Sequence, residues 1–374
     1  MRCTAEQIRR APKVLLHDHL DGGVRAATVA DLAAETGYTG LPSADAAGLT
    51  RWFADAARAG SLESYLARMD PIVAVLQTEA GLRRVAAECV ADLAADGVVY
   101  AEVKIAPEQH TDGGLGLDQV VAAVVGGLRE GEAAAAARGR RIRVRLLVTA
   151  LRQAARSMEI AELAVRHRER GVIGFDIAGP EAGYPPTRHL AACEEIKRAN
   201  FHLTIHAGEG FGLTSIWEAV QWCGAERLGH GLRIIDDVGV ADDGSAKLGQ
   251  LAAYVRDRRI PLEMCPLSNV HTGAVRSIIE HPIATLRRLR FRVTVNTDNR
   301  LLSTTSLTRE FTELVDAFGY GIDDLQWFTV NAVKSAFLPH DERLALISDV
   351  IKPAYAAIRN EPLTAPVRRG EDNW

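Results

Sequence analysis

Two textures of apolar positions alternate along the chain. Short, nearly unbroken apolar runs are separated by longer stretches in which Ala, Leu and Val recur among Glu, Asp and Arg. Continuous apolar runs of this length fit parallel strands buried on both faces, and the intervening stretches fit helices. Eight strands are predicted: "KVLLHDHL" (13–20), "VVYAEVKIA" (98–106), "IRVRLLVTAL" (142–151), "VIGFDIAG" (172–179), "HLTIHAGE" (202–209), "RLGHGL" (227–232), "PLEMCPLS" (261–268) and "RVTVNTDN" (292–299). Helices are predicted between them at 80–95, 118–138, 154–170, 187–199 and 246–257. Strands that alternate with helices imply a parallel sheet, and eight such units imply closure. The fold class expected is α/β, a (β/α)8 TIM-type barrel.

Two segments depart from that regularity. Residues 24–97 are too long for a simple crossover and read as a helical insertion after the first strand. Within it, "SLESYLARMDPIVAVLQ" (61–77) places Leu62, Tyr65, Leu66 and Met69 on one helical face. That stripe fits a helix packed on the scaffold or a lid over a ligand. Residues 306–360 read as extra C-terminal helices and 361–374 as a loose tail, with one domain spanning 1–374.

Composition narrows the function classes. In 374 residues, 47% apolar and 25% charged content suits a globular chain with a sizeable core, and the net charge of −4 includes no basic block of the kind that marks a nucleic-acid partner. No apolar run is long enough to span a membrane, and "MRCTAEQIRRAPK" lacks an apolar core for export. Five cysteines without a CxxC pair fit a reduced cytoplasm. Oligomeric state, monomer or homodimer, is left open.

The chemistry-bearing residues gather at predicted strand C-termini, the rim where (β/α)8 barrels build active sites. In "HDH", His17 and His19 share a face and Asp18 points the other way. "HAGEG" adds His206 and Glu209, "LGHGLR" adds His230, and "TVNTDNR" adds Asp298 and Asn299. Each has a plainer structural reading: core histidines, a capping glutamate, a turn at Asn-Asp-Asn. Together, His17, His19, His206 and Asp298 supply three nitrogens and one oxygen for one zinc-like cation, leaving Glu209 and His230 for proton transfer.

With these motifs in place, the chain resembles the adenosine deaminase family of the amidohydrolase superfamily over about residues 11–340. The matching motifs are "LLHDHLDGG", "DGVVYAEVKIAPE", "GFDIAGPE", "HAGE", "RLGHGLR", "PLEMCPLSN" and "NTDN", in the family's order. The resemblance implies one Zn2+ per chain on His17, His19, His206 and Asp298. It assigns Glu209 to purine N1 and His230 to the water at the metal. It also implies a backbone N–H from Gly179 to N3 and contact of Asp21 with the ribose 5′-hydroxyl. Tyr65, Leu66 and Met69 would form an apolar wall over the base, and His19 would also touch the substrate. The activity implied is hydrolytic deamination of adenosine and 2′-deoxyadenosine.

Some residues depart from the family pattern. Asn299-Arg300 stands where Asp-Pro is common, and an Asn299 amide would donate to purine N7. Lys104 replaces a frequent arginine and reads as structural, while His271 reads as a surface loop or a specificity contact. An alternative activity is deamination of adenine or a modified adenosine. A silent nucleoside-binding protein is a third reading, disfavoured by the intact ligand set.

Overall fold

The computed structural model describes residues 2–55, 59–241 and 245–360. Ten strands run in chain order: β1 (Lys13–His19), β2 (Val98–Ile105), β3 (Arg143–Leu151), β4 (Val172–Ala178), β5 (Leu203–Ala207), β6 (Arg227–His230), β7 (Val238–Val240), β8 (Ala246–Leu248), β9 (Leu262–Met264) and β10 (Val293–Val295). Eight form one sheet in the order β1-β2-β3-β4-β5-β6-β9-β10. All its pairings are parallel, with helices in the crossovers, as the unbroken apolar runs require. Between β10 and β1, Asp18 and Asp298 form a parallel bridge, with His19 N–H donating to Asp298 O (2.7 Å) and Asp298 N–H to His17 O (3.0 Å). Deeper in the seam, Leu16 N–H donates to the Asn296 side chain (2.9 Å), which stands in for a missing ladder partner. The result is a (β/α)8 barrel.

Apolar side chains such as Leu15, Val103, Leu146, Phe175 and Ile205 are fully buried in the core that joins strands and helices. The strands also bury polar side chains: Glu102, Lys104, Thr149, Asp176, Thr204, Arg227 and Glu263. Charges at such depth persist when paired. Here they are: Arg227 contacts Glu102 and Glu263 (2.6 Å each), and Lys104 lies 3.1 Å from Glu263 and 3.5 Å from Asp176.

Three sequence expectations need correction. The helix placed at 246–257 starts at Gln250, because Ala246–Leu248 pairs antiparallel with Val238–Val240. The strand placed at 261–268 ends at Met264, and Pro266 opens a short helix, Pro266–His271. A proline at the first helical turn lacks only an N–H that would have no partner there. The last strand ends at Val295 rather than Asn299, so Asp298 and Asn299 sit in the loop beyond it.

Residues 24–97 form helices at Ala26–Thr36, Ala46–Ala54, Leu62–Leu66, Asp70–Val75 and Glu79–Ala95. After β10 come Leu307–Phe318, Ile322–Ser335, His340–Ala345 and Lys352–Asn360, with Ile322–Ser335 packed across β10 and β1. The tail placed at 361–374 lies outside the described residues. Among the described residues no helix is long and apolar enough to cross a membrane.

Candidate active site

At the C-terminal rim of β1, β5 and β6 and the loop after β10, His17, His206, His230 and Asp298 each offer one ligand atom, all within 4.8 Å of one another. His19 joins them: its Nε2 lies 3.2 Å from His206 Nε2 and 3.4 Å from Asp298 Oδ1. Two of these positions hold a costly backbone. His230 and Asp298 have φ of 62° and 58°, a left-handed conformation a glycine would adopt more cheaply. Strain at two non-glycine residues that meet in one cluster points to side chains retained for their chemistry.

Carboxylates in the barrel interior fix the ring protons. His17 Nδ1–H donates to Glu263 Oε2 (2.9 Å), and His206 Nδ1–H donates to Asp176 Oδ1 (3.1 Å). Although burial opposes ionisation, Lys104 and the neighbouring cations hold Glu263 well below the usual carboxylate range. Asp176 is likewise held far down: burial opposes this, but His206 and Lys104 outweigh it. With Nδ1 protonated, His17 and His206 each turn a bare Nε2 lone pair towards the cluster. His17 Nε2 is buried and has no hydrogen-bond partner. An orphaned buried nitrogen, further imidazoles and a carboxylate, with carboxylates behind the rings, form a donor set that fits a divalent metal of the zinc type.

His230 differs in its proton. Ile283 N–H donates to His281 Nδ1 (3.1 Å), so His281 carries its proton on Nε2 and donates to Asn269 Oδ1 (3.2 Å). Cys265 N–H donates to the same oxygen (3.4 Å). The Asn269 amide nitrogen therefore faces the site, donating to His230 Nδ1 (3.1 Å) and Glu209 Oε1 (3.0 Å). A neutral His230 that accepts at Nδ1 bears its proton on Nε2, the atom 3.3 Å from Glu209 Oε2.

Glu209 Oε1 also accepts from Thr272 Oγ1 (2.9 Å). With Oε1 engaged by two donors, a proton on this carboxyl belongs on Oε2. Burial, then the negative charge of Asp298, pushes the Glu209 pKa well above the ordinary carboxyl value. The loop that carries Glu209 hangs on one other side chain: Glu181 accepts the backbone N–H groups of Gly208, Glu209, Gly210 and Phe211 (2.6–3.0 Å).

A cavity of about 340 Å3 opens beside the cluster. His19, Asp21, Tyr65, Leu66, Met69, Gly179, His206, Glu209, His230, Asp298 and Asn299 all line it, and Leu62 completes the apolar stripe. Tyr65 is buried with its hydroxyl 2.8 Å from Ser303 Oγ. Gly179 has φ of 114°, and a Cβ there would lie 2.4 Å from the Gln153 side chain. The Asp21 carboxyl is raised by burial, but the facing His110 ring (3.8 Å) and Gly22 N–H outweigh this and hold it below its usual value.

The two glycines of "LLHDHLDGG" acquire a reason: Cβ atoms on Gly22 and Gly23 would lie 1.9 and 2.2 Å from the side chains of Asn299 and Arg300. Arg300 turns away from the cavity, donating to Asp18 (2.9 Å) and Cys89 Sγ (3.1 Å). His271 is not on the surface loop of the first expectation. It is buried on the Pro266–His271 helix, 3.3 Å from Ser303 Oγ, and is absent from the cavity wall. Lys104 lies beneath His17 at 3.4 Å. Sequence reading passed over Asp176, Glu181, Glu263, Asn269, Thr272 and His281. Asp176 and Glu181 fell inside "GFDIAGPE", where charges in a buried run gave a signal, while His281 is isolated in the sequence and gave none.

A closed parallel barrel whose strand ends carry a histidine–aspartate cluster of this kind defines a metal-dependent hydrolase of the amidohydrolase type. The family profile described as Adenosine deaminase matches residues 12–353. The chain is 66% identical to Adenosine deaminase 1 of Streptomyces coelicolor over 95% of this chain and 90% of that one. It is 63% identical to the adenosine deaminase of Mycobacteroides abscessus, over 94% and 97%. The chain belongs to the adenosine deaminase family. Among solved structures, Arabidopsis ADAL complexed with IMP superposes with a TM-score of 0.80 at 25% identity, covering 94% of this chain and 99% of that one. A Burkholderia ambifaria amidohydrolase with bound Zn shares the fold, with a TM-score of 0.82 at 24% identity over 96% and 95%.

Proposed function

We propose that this enzyme hydrolyses adenosine and 2′-deoxyadenosine to inosine and 2′-deoxyinosine, releasing ammonia, with one zinc ion held by His17, His19, His206 and Asp298. The proton assignments support that division of roles. His17 and His206 offer bare Nε2 atoms, whereas the Asn269 chain leaves His230 with a protonated Nε2, suited to proton handling. The zinc would supply Lewis acidity, which lowers the pKa of water towards neutrality. The observation that carries the reading is Glu209: an enclosed carboxyl with Oε1 occupied and Oε2 beside His230, on the wall of a nucleoside-sized cavity.

Addition of water to C6 of adenine breaks ring conjugation, so N1 must gain a proton as the bond forms. Glu209 Oε2 delivers that proton, and its raised pKa keeps the proton available near neutrality. His230 Nε2–H donates to the attacking oxygen and holds it in place, and of the two protons of the water one completes the departing ammonia and the other restores Glu209. The amino group at C6 then leaves as ammonia, and C6 keeps the oxygen. Gly179 N–H meets purine N3, and the Asn299 amide donates to N7. Tyr65, Leu66 and Met69 cover the apolar faces of the base. Asp21 accepts from the ribose 5′-hydroxyl. Its depressed pKa keeps it anionic, which disfavours a 5′-phosphate and favours nucleosides over nucleotides.

The test is Glu209→Gln, assayed by loss of the adenosine ultraviolet band, with zinc counted in both proteins. The expected loss in kcat is roughly 10²–10⁴-fold with zinc still near one per chain. Near-normal turnover would overturn the assignment. Faster turnover of adenine or a modified adenosine than of adenosine would replace the substrate.

A further inference from the structure

At the opposite end of the barrel, below the N-termini of β6, β9 and β10, lies a second cavity of about 510 Å3. Arg258, Arg259, Arg292, Lys334 and Arg343 line it, contributed by three separate stretches of chain. Its wall has one carboxylate, Glu226, already engaged by His202 (3.0 Å) and Leu203 N–H (3.2 Å). Among the described residues none of the five cations is paired with a carboxylate, whereas Arg227 in the same wall pairs with Glu102, and Arg143 pairs with Glu342, the residue before Arg343.

Exposed arginines are usually just solvated, so the case rests on how these are held. Arg259 donates to the Arg290 carbonyl and Arg343 to the Lys334 carbonyl (3.1 Å), which fixes both guanidinium groups without neutralising them. Arg292 is half-buried, and its Nε is enclosed with no hydrogen-bond partner. Burial, followed by the charges of Arg259 and Arg343, lowers its pKa, as crowding of the three requires. Beside them, Arg227 is 1% exposed and has an unpartnered Nη2, while Phe337 and His202 occupy its flank in a stacked pair. Like charges held around a concave space without a counter-charge are unfavourable unless an anion supplies one.

We infer that this cavity is a binding site for a phosphate-bearing anion, separate from the active site and formed by Arg259, Arg292 and Arg343 with Arg258 and Lys334 at its rim. Guanidinium groups match phosphate oxygens through paired N–H donors, and Arg259, Arg292 and Arg343 all border this one space. The ligand is a free polyphosphate or the phosphate chain of a nucleotide.

The test is calorimetric titration of the full chain with inorganic tripolyphosphate and with ATP at matched ionic strength. Saturable binding is expected, weakened roughly tenfold or more by Arg292→Ala or Arg259→Ala. Arg276→Ala, an exposed residue paired with Glu280, should bind as the unaltered protein does. Tighter binding of ATP than of tripolyphosphate would identify a nucleotide site, and equal binding a phosphate-chain site. If Arg292→Ala does not fold, the exposed pair Arg258→Ala and Lys334→Ala replaces it, with the same expected direction. No saturable heat at millimolar anion, or equal affinity in folded Arg292→Ala, overturns the proposal.

Discussion

Asn299 is one of the residues, with Arg300 and Lys104, at which the sequence reading sets this chain apart from the family pattern, and its position gives the departure a consequence. It is 4% exposed, packs where Gly22 leaves room and borders the cavity. An amide donates to purine N7 at any ordinary pH, whereas a carboxyl must first be protonated. Asn299→Ala should therefore raise KM for adenosine more than for 7-deazaadenosine, which has no acceptor at that position. Equal losses for the two substrates would remove Asn299 from the N7 contact. At this scale the sequence was most legible where spacing itself carries geometry. "HDH" places two imidazoles on one strand face, and the structure has both beside Asp298. Arg300 could not be read this way, because the loop after β10 decides which side chain turns inward, and Arg300 pairs with Asp18 outside.

The loop after β5 depends on a partner from another loop. Four consecutive backbone N–H groups converge on the Glu181 carboxylate, a side chain from the loop after β4. Without it, four donors lose their acceptor and Glu209 loses its fixed position. Displacement of a reacting group by about 1 Å can cost on the order of 10² in rate. Glu181→Ala should lower kcat/KM by roughly that factor through kcat, with zinc content and the overall circular dichroism preserved. A loss confined to KM would mean that Glu181 acts on substrate binding alone. The strands were readable as elements because both-face burial demands continuous apolar runs. The ends of β9 and β10 were not, since Pro266 opens a helix within an apolar run and Asn296 makes sheet-like bonds through its side chain.

For the molecule as a whole, two buried titrating groups away from the metal cluster, His281 and Glu310, bias stability with pH in opposite directions. Burial lowers His281 to about 3. A neutral imidazole in the fold against an unfolded value of about 6.5 gives stability that is complete above about pH 6.5 and lost as pH falls towards 3. Burial raises Glu310 to about 8. Its contribution is complete below the unfolded value of about 4.3 and lost as pH rises through about 8. Urea midpoints measured from about pH 3 to about pH 9 should flatten on the acid side in His281→Gln and on the alkaline side in Glu310→Gln. Unchanged slopes in both variants would show that these groups do not titrate with folding. The sequence by itself determined the alternation of strands and helices, the barrel that follows from it, and the residues at its rim, because burial on both strand faces and a period of two are local constraints. Only the tertiary structure decided which proton each ring carries, that Glu181 and Asn269 hold Glu209, and that scattered arginines meet in one cavity. Those facts depend on distances between residues far apart in the chain, which no local pattern encodes.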